Sequence, residues 1–534
     1  MKKTIQKLMA ALLAVAMLCA MAVPAFADNT ENIRDHHSFK AFQIFKGEVS
    51  DDNTISNVVC GSSIHNFPDF LRQLKADPTL SSKFATADSL QGVLDVMKGW
   101  STSDDDSIAF ARFVCNYLYP NADANPEPFI PSSGDVVKIT INEAGYYLIV
   151  DTTDFGNGDS YHAYNSFLLN VTKAPWDLPI TPKVVKPSVK KEVFDNHDIG
   201  STGEDNGWGS SADHAINEEF RFKLTATLPA STDKAYDYYN NKYTVIFNDT
   251  LSAGITFDNL DKVEIANVDG GNPQVIDAAN YTLNKDGLPS SFKLSIDDVK
   301  TCAAAAGLNL NDGATITVTY TAHLNDKATV NTEGGSTSNI NKVYLTYSNN
   351  PKDESSIGKT PESTPVYVYT YQLNNTKHQD TENGPALEGA CFRLYSDEAC
   401  TDQSEVQLYQ KDGFYYPIKD ALGKEAVEMK SAANGTFNVK GLDAGTYYLK
   451  EITPPDGYSA CKVIPVTIKA DHSRNDQVNL EGSNLTNDIV NIKAGGITLP
   501  STGGIGTTLF YVIGGGLMAV AAVLLVTKKR MNSK

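Results

Sequence analysis

The sequence predicts a mainly β chain of three tandem domains, the first carrying helical insertions, and three observations predict it. Tyr, Thr, Val and Asn abound in short alternating runs punctuated by Gly, Pro, Asn and Asp, the pattern of strands and turns. Helical periodicity is confined to the first third of the chain. The stretch between the two terminal signals described next exceeds about 450 residues, enough for about three domains of ordinary size.

The chain begins with Lys2, Lys3 and Lys7, an apolar run from Leu8 to Val23, and the small-x-small triplet Ala25-Phe26-Ala27. That order is a secretory signal over 1–27, with maturation expected at Asp28. At the other end Leu499-Pro500-Ser501-Thr502-Gly503 precedes an apolar run from Ile505 to Val526 and a basic tail over 527–534 with Lys528, Lys529 and Arg530. About twenty apolar residues span a bilayer, and a basic tail stays on the cytoplasmic side. Translocation therefore halts with the pentapeptide just outside, so contact with the membrane is transient. This ending resembles the cell-wall sorting signal of Gram-positive surface proteins. The resemblance implies that a sortase cysteine attacks the Thr502–Gly503 bond, that Thr502 becomes the acyl donor, and that the product is joined to peptidoglycan at the cell surface.

The formal net charge of -19, with no basic cluster outside the termini, argues against nucleic acid as a partner. Acidity on an exported chain mainly favours solubility. Cys60, Cys115, Cys302, Cys391, Cys400 and Cys461 remain after the signal is removed, and no pair has metal-site spacing. Export permits disulfides. Cys400 with Cys461 is the expected pair because both fall in one predicted domain, Cys60 with Cys115 is a second possibility, and Cys302 is expected free. His36 and His37 offer no third ligand for a metal, and no nucleophile, base and orienting group come together in the sequence. Neither a cofactor nor an enzymatic turnover is expected.

Along the chain, Phe67 to Leu74, Ala87 to Lys98 and Ile108 to Tyr117 carry helical spacing. Lys138 to Asn142 followed by Tyr146 to Val150 reads as strand, turn and strand, as does Gly435 to Val439 followed by Thr446 to Glu451. Prolines mark two boundaries. Pro175, Pro179, Pro182 and Pro187 exclude a long central strand there, and Pro351, Pro361 and Pro365 form the second boundary. The domains are expected at 28–183, 184–362 and 363–495.

In the third domain, Gly389-Ala390-Cys391-Phe392-Arg393-Leu394-Tyr395 and the segment from Tyr447 to Tyr458, with Leu449-Lys450-Glu451-Ile452-Thr453-Pro454-Pro455, resemble the collagen-adhesin B-type (CnaB-like) family. The resemblance implies immunoglobulin-like, CnaB-type β-sandwiches. It also implies an intramolecular isopeptide bond between a Lys on the first strand and an Asn on the last, catalysed by the Glu of that segment. Tyr367, Tyr369, Tyr371, Leu373, Asn375 and Lys377 share one strand parity, and Ile489 and Asn491 share another. Lys377, Glu451 and Asn491 are thus the expected set. Burial is essential to such chemistry, because an apolar core lowers a lysine pKa and raises that of a carboxyl. The amine then becomes a nucleophile and the acid a proton relay.

The second domain opens with Pro187 to Val193 and closes with Asn341 to Pro351, segments that resemble the ends of the middle domain of sortase-assembled pilins. Parity puts Val189, Lys191 and Val193 on one face, with Lys190 and Glu192 on the other. Lys191 bonded to Asn341 is expected, with Lys190 as the fallback. Asp249 resembles the family's acid position best, and Glu218 and Glu219 are alternatives.

Trp176-Asp177-Leu178-Pro179-Ile180-Thr181-Pro182-Lys183 is similar to the pilin motif, although the gap between Trp and Lys is shorter and Thr181 replaces the usual Tyr. The resemblance implies that Lys183 attacks the Thr502 acyl-enzyme of another subunit. Identical subunits would then join head to tail as the shaft of a surface pilus that supports adhesion, completed by tip and base pilins. Lys173 and Lys186 compete for this role. Phe39 to Gly47 is also like the amino-terminal domain of major pilins, but no closing Asn accompanies Lys40 or Lys46, and no third bond is expected. The rival reading is a monomeric wall-anchored adhesin for a host or matrix ligand.

Overall fold

A computed structural model describes residues 39–51, 53–101, 104–118, 137–152, 166–174, 176–180, 185–196, 207–239, 242–332, 335–419, 423–472 and 476–494. The signal peptide, His36, His37, Lys183, the pentapeptide 499–503, the apolar run 505–526 and the basic tail lie outside the described residues. The chain is mainly β, and the helices that position its early core lie near its start.

The first described sheet has four strands, with Phe39–Val49 and Gly145–Asp151 at its centre. Its two faces bury separate apolar clusters. Helices Phe67–Leu74, Leu90–Met97 and Asp105–Leu118 cover one of them, placing Phe70, Val93, Phe110 and Val114 against Phe42, Ile44 and Leu148. The other face buries Phe39, Ala41, Tyr147 and Ile149. Local chemistry starts two of these helices. Asn66 accepts from the Asp69 amide at 3.1 Å and Ser89 from the Gly92 amide at 3.2 Å, each satisfying a free amide of a first turn.

Both expected strands after residue 136 form, but they do not pair with each other. Val137–Ile141 pairs with Trp176–Ile180, whereas Gly145–Asp151 pairs with Phe39–Val49 and Ser166–Val171. The proline-rich stretch thus contributes a short strand to a two-stranded sheet, where Pro179 is tolerated.

Next come a six-stranded and a seven-stranded sheet whose inner faces share one large core. The opening strand Ser188–Phe194 lies in the first and the closing strand Asn339–Ser348 in the second. Alternation explains both. In Glu219–Leu228 the residues Phe220, Phe222, Leu224, Ala226 and Leu228 all point inward, and in the closing strand Asn341, Val343, Leu345 and Tyr347 do so.

The chain then passes between sheets at Thr370. Val366–Tyr369 still pairs with the closing strand, while Tyr371–Gln379 enters a five-stranded sheet that faces a four-stranded one. Phe392, Leu394, Phe437, Leu449 and Val466 fill the space between those two sheets. The strand expected over Gly435 to Val439 begins only at Val439 and runs to Leu442, and it lies in a different sheet from Gly445–Thr453.

Candidate functional site

Two buried sets of lysine, asparagine and carboxyl stand out. In the C-terminal set, Tyr371–Gln379 runs parallel to Thr486–Asn491, with Lys377 opposite Ile489 and Gln379 opposite Asn491. Gly435 holds the lysine in place by accepting from its backbone N–H at 2.8 Å. This glycine has φ +81°, and a Cβ there would lie 2.5 Å from the Lys377 carbonyl oxygen, so glycine is required. Glu451 arrives from Gly445–Thr453 of the facing sheet.

The three side chains meet in a dry pocket. Lys377 Nζ donates to Asn491 Oδ1 at 2.5 Å, and Asn491 Nδ2 donates to Glu451 Oε1 at 2.7 Å. The same carboxylate oxygen is 3.7 Å from Nζ, and the side chains of Lys377 and Glu451 are fully buried. Glu451 Oε2 is fixed by the Cys461 amide at 2.7 Å. Burial, with the Phe392 ring 5.2 Å from Nζ, pushes the Lys377 pKa down, opposed by Cys461 and Glu451. One oxygen, Oε1, is thereby placed to move a proton between an incoming amine and a departing amide nitrogen.

In the middle set, Lys191 sits opposite Leu224 in one sheet, while Asp249 and Asn341 lie on neighbouring strands of the other, opposite Val343 and Leu251. Lys191 Nζ donates to Asp249 Oδ2, and both side chains are completely buried. Nζ also donates to Tyr320 Oη at 3.2 Å, Tyr320 Oη donates to Asp249 Oδ1 at 3.3 Å, and Asn341 Nδ2 donates to Tyr320 Oη at 2.5 Å. Asn341 Oδ1 has no hydrogen-bond partner. Burial among Phe222 and Tyr320 pushes the Lys191 amine down to about 8 against the opposing pull of Asp249. Burial likewise raises the Asp249 pKa, with Lys191 opposing.

Tyr320 was not expected from sequence. It continues the inward parity of Ile316, Val318, Ala322 and Leu324 on Ala314–Leu324, so its ring reads as ordinary core. The alternatives lie elsewhere. Lys190 is exposed and pairs with Glu192, Glu218 accepts from the Ala215 amide at 3.1 Å, and Glu219 is exposed. Lys40 and Lys46 are exposed on their strand. Lys173 is exposed, and Lys186 is half-buried with its pKa pushed down to about 8 by burial.

The expected Cys400–Cys461 disulfide is absent: both are free thiols, as are Cys60, Cys115 and Cys302. Cys400 sits in a turn at φ +48°, while Cys461 borders Lys377 and Glu451. Sharing a domain does not bring two Cβ atoms within bridging distance.

Residues 373–483 match the SpaA family, a prealbumin-like fold domain, and residues 491–533 match the LPXTG cell wall anchor motif. The chain is 26% identical over 377 residues to the trypsin-resistant surface T6 protein of Streptococcus pyogenes serotype M6. That match covers 59% of this chain and 65% of the relative, less than two thirds of its length. Among solved structures, the chain is similar to the T6 backbone pilin of serotype M6 S. pyogenes, with 17% identity and a TM-score of 0.46 over 87% of this chain and 97% of that one. It is also similar to the full-length major pilin SpaD of Corynebacterium diphtheriae, with 20% identity and a TM-score of 0.42 over 70% and 87%. A prealbumin-like domain thus runs into an LPXTG cell wall anchor, which places the protein at the cell surface, held by the wall.

Proposed function

We propose that this chain is the shaft subunit of a covalently polymerised surface pilus, built as three tandem sandwich domains over 28–183, 184–362 and 363–495 and clamped internally by two isopeptide bonds. The observation that carries the reading is the pair of buried Lys, Asn and carboxyl sets in consecutive regions of a chain that ends in a wall anchor. Charged residues are almost never fully buried unless they are paired.

In each set the neutral lysine amine attacks Cγ of the asparagine. A C–N bond forms, the Cγ–Nδ2 bond breaks and ammonia leaves. The carboxyl, Glu451 or Asp249, gives one proton to the leaving nitrogen and takes one from the incoming nitrogen. Fixed geometry supplies the effective concentration, and the reaction runs once per molecule, so the chain is a sortase substrate and not an enzyme. Lys191 and Asn341 lie in facing sheets, so their bond crosses the sandwich; Lys377 and Asn491 lie on adjacent parallel strands. Force entering by an opening strand and leaving by a closing strand would pass through covalent links, and the sheets need not unzip. Protease resistance of the kind named for the T6 relative would follow from the same clamps.

Sortase would join Thr502 of one subunit to Lys183 of the next and, at the last step, the fibre to peptidoglycan. Tip and base pilins would complete it. The test is Lys183→Ala in the native cell. The expected result is loss of the detergent-resistant ladder of wall-released polymers while monomer remains wall-attached. A ladder that survives in this variant rejects Lys183 as the joint, and a wild-type wall that releases monomer alone makes the protein a monomeric adhesin.

A further inference from the structure

A third buried polar cluster has no part in the chemistry above. Asp195 follows the lysine strand Ser188–Phe194, Asp213 ends the short strand Ser211–Asp213, and His472 follows Ile464–Ile468 of the C-terminal sheets. All three side chains are essentially inaccessible to solvent. Their ligand-type atoms converge within 4.8 Å. His472 Nε2 lies 3.4 Å from Asp195 Oδ2 and 3.7 Å from Asp213 Oδ1. Neither Asp213 Oδ1 nor His472 Nε2 has a hydrogen-bond partner.

The surroundings orient these groups. Ser211 Oγ donates to the His472 carbonyl at 3.0 Å, which leaves that hydroxyl oxygen to accept from His472 Nδ1 at 2.8 Å. Nδ1 therefore carries a proton, and Nε2 faces the two carboxylates. Tyr371 Oη donates to Asp213 Oδ2 at 2.9 Å, leaving Oδ1 turned toward the histidine. A ligand histidine whose other nitrogen is fixed by a neighbour, beside a carboxylate fixed in the same way, is how second-shell partners prepare a metal site.

We infer that Asp195, Asp213 and His472 hold a divalent first-row transition cation that ties the middle sheets to the C-terminal sheets. Charge favours this occupant. Two carboxylates and a neutral imidazole carry two negative charges that a divalent cation balances, whereas a proton on Nε2 leaves one negative charge uncompensated in a dry pocket. The mixed nitrogen and carboxylate donor set suits zinc or manganese better than calcium, which takes six to eight oxygens. Because the ligands come from two regions, the cation is captured as those regions dock, beside the Asn196 amide that donates to Asp443 across the same junction at 2.9 Å.

The test uses the full mature chain, unfolded in chelator, refolded metal-free and titrated with Zn2+ alone. The expected result is about one equivalent bound with a rise in the melting midpoint, and a Co2+ absorption band on substitution. Asp213→Asn and His472→Gln should each weaken Zn2+ binding by more than about 10-fold, since changes even outside the first shell cost that much. Absence of stoichiometric zinc in the refolded wild type overturns the inference, as does equal zinc uptake by either variant showing a cooperative melt. Should a variant fail to fold, the wild-type titration decides by itself. Every readout is independent of isopeptide formation and of polymerisation.

Discussion

Asn341 donates its side-chain N–H to the Tyr320 hydroxyl at 2.5 Å, and this hydroxyl also lies 3.2 Å from the Lys191 amine. Tyr320 thus touches both groups that the proposed bond would join, and it donates its own hydrogen to Asp249. With the Asn341 amide turned over and Asp249 protonated, so that the acid donates to the hydroxyl, the hydroxyl's one hydrogen would polarise the carbonyl that the amine attacks.

Tyr320→Phe should therefore slow bond formation in the middle region without abolishing it, by about 100-fold, at the low end of what positioned proton donors contribute. Asp249→Ala should abolish it. The measurement is intact mass during refolding of chain recovered unfolded from inclusion bodies, where each bond removes one ammonia, about 17 Da. A Tyr320→Phe chain that loses mass at the wild-type rate reduces the residue to packing.

The choice between adjacent lysines is equally testable. Lys191→Ala should retain the extra mass, whereas Lys190→Ala should lose it normally. Lys190 has an exposed side chain and pairs with Glu192, an interaction of about 0 to 1 kcal/mol. Loss of the bond in Lys190→Ala would reverse the assignment.

Bond formation at Lys191 should be flat between the raised pKa of Asp249 and the Lys191 value, and fall above about 8. The reactive form, a neutral amine beside a protonated carboxyl, holds as many protons as the ammonium–carboxylate pair, so its population does not change with pH between the two titrations. Raising the pH through the Lys191 value of about 8 removes the shared proton and leaves Asp249 unable to donate. Lowering it through the raised value of Asp249 protonates both groups and makes the amine an ammonium. Refolding over a pH series, followed by mass, reads this directly; a rate that climbs steadily above pH 8 would show that the acid is dispensable.

Much of this was legible in the sequence because strand alternation is local. Val189, Lys191 and Val193 share a face by parity alone, and the structure puts Lys191 inside and Lys190 outside. Pairing is not local, which is why the strand Val137–Ile141 was visible but its partner Trp176–Ile180 was not. Tyr320 escaped notice for the same reason, since its hydroxyl meets groups 21, 71 and 129 residues away. Asp195, Asp213 and His472 carry no local spacing that marks them, because folding alone brings His472 to the other two. The cysteines failed differently: co-residence in a domain is too weak a constraint when a bridge requires Cβ atoms within about 4.5 Å.

In the C-terminal set, Glu451→Gln should leave Lys377 and Asn491 unjoined, because the amide keeps the shape of the side chain but cannot accept a proton from the amine. The chain would then stay about 17 Da heavier. It would also lose the restriction on its unfolded state, since the bond closes a loop whose ends are 114 residues apart. By analogy with a disulfide over a loop of that length, the loss is roughly 4 to 5 kcal/mol. Removing the relay also leaves Lys377 buried without its 3.7 Å carboxylate neighbour, a further cost that the double variant Lys377→Met with Glu451→Gln avoids. Comparing the two variants by thermal melting separates the contributions: both lack the bond, so the lower midpoint expected for Glu451→Gln measures the orphaned amine. Equal midpoints would mean that the pocket tolerates an unpaired lysine, and the argument that burial drives the reaction would lose its footing.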